Sequence, residues 1–205
     1  MNHDCDFQKF IAINYNFLQK NNIHRTTKKN KERVRTLLLL NLSVAYLNIG
    51  DNVSAGQMLS GVDYFSDNSS GAASKVVYYN NMFVYYLRIN DIPSATQALE
   101  QMDAALQSSK LRKSDYDRYS TTYISKKHLV NMENGNYDGC EMHFSLMYNI
   151  ESSILGKVSA KFTLGKIYLH DGKSIEAKQA FEYVINNGGT SYYVVKARDY
   201  LNQLA

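Results

Sequence analysis

The chain has 205 residues, of which 20% are charged and 44% hydrophobic, with one proline and no tryptophan. That length holds one large domain or one repeat array, and the composition is that of a folded protein. The net charge of +4 is local: Arg25, Lys28, Lys29, Lys31, Arg33 and Arg35 against Glu32 place +5 in residues 25–35 and leave −1 elsewhere, which excludes a broadly basic nucleic-acid binder.

Two cysteines, Cys5 and Cys140, make no disulfide framework. The N-terminal MNHDCDFQ lacks the charged-then-apolar pattern of a signal peptide. The most apolar stretch, Leu37 to Ile49, is broken by Asn41, Ser43 and Asn48 and falls short of the roughly 18–20 residues a membrane span needs. The expectation is a soluble cytoplasmic chain, or the soluble part of a membrane-associated protein.

In chain order, residues 7–20 put Phe7, Phe10, Ile11, Asn14 and Leu18 on one face of a lone helix. Residues 21–30 are polar and basic and read as a loop, so 1–30 form an N-terminal helix and linker. Residues 31–48 are the first helix of a first pair, with Leu39, Leu42 and Tyr46 on one face. Gly50-Asp51 breaks it, Asp51 or Asn52 caps the next helix, and 53–62 follow with Ala55 and Leu59 inward. Ser66 to Gly71 is a turn cluster.

The second pair spans 72–89 and 92–107, with Tyr79, Met82 and Tyr86 on one face, a turn at Asn90-Asp91, and Pro93 in the first turn of the second helix. Ala95 and Leu99 repeat the inward spacing. Residues 108–113 form a loop. The third pair covers 114–133 and 137–149, turning at Asn134-Gly135-Asn136. The fourth lies in Lys161 to Val184, with its break at Asp171-Gly172. Gly188-Gly189 stops that helix and is no phosphate loop. Residues 190–204 are a last amphipathic helix with Val194, Ala197 and Leu201 inward, covering the apolar end of the array.

The turn residues Gly50, Asn90, Gly135 and Gly172 are spaced by 40, 45 and 37, and Ala55, Ala95, Cys140 and Ala177 each follow five residues later. Repetition at 20–50 residues is the signature of a solenoid.

The fourth unit contains Leu164-Gly165-x2-Tyr168, then Ala177-x3-Phe181. This resembles the tetratricopeptide repeat family, whose units read aromatic, L-G-x2-Y, A-x3-F, P. The first unit keeps Leu42, Tyr46 and Ala55, and the second Tyr79, Tyr86 and Ala95. The third departs, with His128 at the Gly position, Asn131 at the Tyr position and Cys140-x3-Phe144 closing it. Lys161 stands where the leading aromatic belongs, and the closing proline is missing. The Tyr- and Asn-rich composition is similar to that of bacterial repeat proteins beside membrane segments. The resemblance covers residues 34–205. It implies an all-α fold, an α-α superhelix: a right-handed solenoid of antiparallel helix pairs over 31–205. It also implies a non-enzymatic protein-protein interaction scaffold that needs no cofactor.

In such a solenoid the first helix of each pair lines the concave face. Asn41, Asn81 and Lys126 occupy equivalent sites there, with Asn48, Asn80, Arg88 and Glu133 on the same side and Tyr85 adding apolar contact. An amide side chain donates and accepts at once, which suits a peptide backbone. In family members that clamp a terminal carboxylate, Asn with Lys or Arg does the holding, and the match here is partial. A solvated polar face, or Asn contacts between neighbouring helices, explains the same residues.

His128, Cys140 and His143 are zinc-ligand types, but His128 and Cys140 fill helix-crossing slots and no fourth ligand recurs. A Cys140 nucleophile with His128 as base needs an open pocket and an orienting group. Residues 25–35 are an alternative contact for nucleic acid or an anionic membrane surface; they lack the interleaved aromatics of single-strand binders. Self-association through the unpaired first unit is a further alternative, giving a homo-oligomer.

Overall fold

The computed structural model describes residues 7–21, 29–62, 71–108 and 111–204, and these form ten helices and no strand. In chain order they are α1 (Phe7–Lys20), α2 (Lys29–Ile49), α3 (Asn52–Ser60), α4 (Ala72–Arg88), α5 (Ile92–Ser108), α6 (Lys113–Glu133), α7 (Cys140–Ile150), α8 (Ile154–His170), α9 (Ser174–Asn187) and α10 (Tyr192–Leu204).

One piece of backbone chemistry recurs at the hairpin turns. Gly50, Asn90, Gly135 and Gly172 all take positive φ, at 83°, 61°, 81° and 72°. This is the left-handed conformation that ends a helix, and glycine or asparagine adopts it at least cost. At three of the turns the next N–H reaches back five residues: Asp51 to the Tyr46 carbonyl at 3.0 Å, Asp91 to Tyr86 at 2.9 Å, Lys173 to Tyr168 at 2.8 Å. Asp51, rather than Asn52, then caps α3, with Oδ1 accepting from the Ser54 N–H at 3.0 Å. Asp91 does the same for the Ser94 N–H at 3.1 Å. Five residues beyond each turn residue, Ala55, Ala95, Cys140 and Ala177 are 0% exposed.

Two boundaries differ from the sequence reading. Helix α7 starts at Cys140, not 137, because Asp138 N–H donates to Asn136 Oδ1 at 2.9 Å and Gly139 is left-handed at φ 71°. Residues 136–139 are therefore a turn. Helix α8 begins well before Lys161, at Ile154, where Ser153 Oγ accepts the Gly156 N–H at 3.1 Å.

The chain divides into two compact units. The first comprises Gln8–Leu47 and Asp51–Glu133. In it Leu18 of α1 packs with Leu42 of α2, and Leu39 and Leu40 of α2 pack with Leu59 of α3. Val76 and Phe83 of α4 join Ala95, Leu99 and Met102 of α5 and Val130 of α6. Removing these apolar faces from water holds the hairpins together, since each covers only one side of itself.

The second unit is Asn134–Ala205 with Phe7 and Asn48–Gly50. Its centre is Phe181, stacked on Tyr200 with centroids 5.0 Å apart and meeting Phe162 edge-on at 5.9 Å. Gly165 allows this: a Cβ there would stand 2.5 Å from the Phe181 ring. Helix α10 lays Val194 and Ala197 inward, and Ser159 Oγ donates to Tyr193 Oη at 3.0 Å.

Candidate functional site

The expected partner-binding residues lie on α2, α4 and α6 of the first unit, except that Asn48 groups with the second. Asn81 is buried, and its Nδ2 donates to the Leu40 carbonyl at 3.2 Å and Ser43 Oγ at 3.1 Å. Its Oδ1 accepts from Asn80 Nδ2 at 3.2 Å. Seven residues on, Arg88 Nη1 donates to the Leu47 carbonyl at 3.3 Å. That carbonyl belongs to the last turn of α2, where main-chain acceptors lack helical partners and a cation meets the negative helix end. Lys126 Nζ sits 5.6 Å from the centroid of Phe83 on α4, a cation–π contact.

Asn81, Arg88 and Lys126 thus each reach back to the first helix of the preceding hairpin. Tyr85 packs toward α3: a Cβ on Gly56 would stand 3.0 Å from its hydroxyl. Asn41 is exposed, one residue after the carbonyl that Asn81 engages, and Asn48 is half-buried in the last turn of α2. Asn80 carries the unspent capacity. Its Oδ1 is buried and accepts no hydrogen bond.

The residues weighed for metal or nucleophilic chemistry have packing environments. Burial, then Asp138, pushes the Cys140 thiol upward, so it stays protonated at neutral pH. Burial, then Lys127, pushes the His128 imidazole downward. His143 meets Phe144 edge-on at 5.1 Å. Among the described residues no three His, Cys, Asp or Glu side chains are placed to hold a metal ion.

Of the basic run, Arg25 to Lys28 lie outside the described residues, Lys29 opens α2, and Arg33 is exposed. No helix among the described residues is long and apolar enough to cross a membrane.

Comparison with protein-family models, with curated proteins and with solved structures finds no match to this chain.

Proposed function

We propose that the chain is a non-enzymatic interaction scaffold that binds an extended segment of a partner protein along α2, α4 and α6, the first helices of its first three hairpins, as its resemblance to tetratricopeptide repeats implies. The observation that supports this best is Asn41, an exposed amide on α2 one residue past the Leu40 carbonyl that Asn81 engages. A peptide backbone presents both a donor and an acceptor to such an amide. Asn80 adds a part-buried amide on α4. Asn81 and Arg88 pin α4 to the α2 backbone, so the surface is formed before the partner arrives and little ordering entropy is lost on binding.

The test is a peptide-display selection against the full chain, followed by calorimetric titration of the recovered peptides. Asn41→Ala with Asn80→Ala is expected to weaken binding by about tenfold or more, the scale of one backbone hydrogen bond, with the helical circular-dichroism spectrum retained. Unchanged affinity in the double variant would remove the proposal.

A second reading is favoured by α1, which leaves Ile13 and Phe17, one turn apart on one face, exposed. A second copy covering this face makes a homo-oligomer whose mass by light scattering falls to that of one chain in Ile13→Lys with Phe17→Lys. A wild-type chain that is monomeric at high concentration excludes it.

A further inference from the structure

Helix α7 carries a stripe that its own packing does not use. Met142, Leu146 and Ile150, spaced i, i+4, i+8, are 77%, 54% and 62% exposed, while Cys140 and Phe144 on the same helix are buried. Side chains at that spacing stand in line on one helix face. Isolated exposed hydrophobics are ordinary, but a contiguous row on one helix marks an interaction surface.

The stripe runs into an open cleft of about 480 Å³ lined by Tyr137, Asp138, Glu141, Met142, Ser145 and Asp171, among others. Beside it the Tyr137 and His170 rings stack with centroids 3.7 Å apart and planes 8° from parallel. The cleft is acidic. Asp138, Glu141 and Asp171 stand against Lys173, whose Nζ lies 2.7 Å from Glu141 Oε2 and 3.4 Å from Asp171 Oδ2. The hydrogen bond from His170, and then Lys173, holds the Asp171 carboxyl below its ordinary range, so it is ionised at neutral pH.

We propose that this face docks a basic amphipathic helix of a partner protein. Its apolar residues at i and i+4 lie along Met142, Leu146 and Ile150. A Lys or Arg at one end enters the cleft, meeting Asp138 and Asp171. The choice of occupant rests on charge: an apolar row ending in an excess of carboxylates selects a cationic helix and disfavours an acidic helix or an anionic lipid surface. Every residue involved belongs to the unit 134–205, and none is shared with the first-helix face, so the two proposals stand or fall separately.

The experiment uses the full chain and two fluorescently labelled synthetic helices with the same leucine pattern, one with lysine and one with glutamate at the polar positions. Anisotropy should show the lysine helix binding at least about tenfold more tightly than the glutamate helix. Met142→Lys and Leu146→Lys replace exposed side chains, leave the fold intact, and should each abolish most of that binding. Asp138→Asn with Asp171→Asn should weaken the lysine helix and bring the two peptides toward equal affinity. Equal binding of the two peptides to the wild-type chain, or indifference to the stripe variants, would overturn the proposal. So would capture of phosphatidylcholine–phosphatidylserine vesicles in preference to the lysine helix. A dimer in light scattering that Leu146→Lys dissociates would assign the face to a second copy and overturn it equally.

Discussion

Gly165 and Gly172 stand seven residues apart and are glycine for different reasons. At Gly165 a methyl group would lie 2.5 Å from Phe181, and that ring is backed by Tyr200 and cannot swing away. Gly165→Ala should therefore cost about 1–3 kcal/mol in urea unfolding. At Gly172 a methyl group would meet nothing within 4 Å, but φ is +72°. Gly172→Ala is expected to cost about 1–2 kcal/mol through backbone strain alone, and Gly172→Asn distinctly less, since Asn90 holds the same conformation in the second hairpin. Asn81→Ala should cost about 1–3 kcal/mol, because it removes the acceptor of Asn80 Nδ2 and two bonds to α2, leaving the buried Leu40 carbonyl and Ser43 hydroxyl without that donor. Asp91 gives a pH-dependent counterpart. Its hydrogen bonds from Ser94 hold its folded pKa below the ordinary value. The cap therefore contributes fully above the unfolded aspartate pKa and is lost as pH falls through the lower folded one. Asp91→Asn should flatten stability on the acid side, below about pH 4, and leave its pH dependence near neutrality unchanged. The glycine–phenylalanine pairing was legible in the sequence because both residues sit at fixed motif positions. For Asn81 the sequence leaves a peptide grip and a contact between neighbouring helices both open, because a helical wheel gives the face a residue occupies and not which neighbour that face meets. The available signal was the period itself: Asn81 to Leu40 and Arg88 to Leu47 are both separated by 41 residues, close to one repeat.

Helices α7 and α10 show how far element reading carries. The inward residues of α10, Val194 and Ala197, follow from 3.6-residue periodicity and are buried. A chain ending after Gly189 would uncover the Phe181 cluster, to which Tyr200, Ala197 and Leu201 belong. It should bind a hydrophobic dye and lose amide protection across α8 and α9 relative to the full chain. For α7, the small-residue register correctly located Cys140, but residues 137–139 were read as helix. Asn and Asp followed by Gly is turn chemistry, and here it outweighed the apolar pattern that begins at Tyr137. The exposed row Met142, Leu146 and Ile150 is not legible for a related reason: amphipathic periodicity marks the residues that face in, and these fit no inward face.

Across the whole molecule the governing regularity is a turn residue in the left-handed conformation and a fully buried small residue five positions later, four times over. Both series are legible in the sequence, because turn chemistry and close helix approach each restrict residue type strongly. Lateral order between hairpins is not legible in the sequence, since periodicity does not say which neighbour a face meets; shared apolar clusters hold it, with polar contacts such as Asn81 to α2 and Lys126 to Phe83 beside them. The proposed partner site lies on the first helices that those contacts hold in place. The most direct test is amide-resolved NMR of the full chain with and without a peptide recovered by display selection. Helical shifts interrupted at Gly50, Asn90, Gly135 and Gly172 are expected, with peptide-induced changes concentrated on α2 and α4 around Asn41 and Asn80. Changes confined to the second helices α3 and α5, with Asn41 and Asn80 unmoved, would contradict a partner site on the first helices.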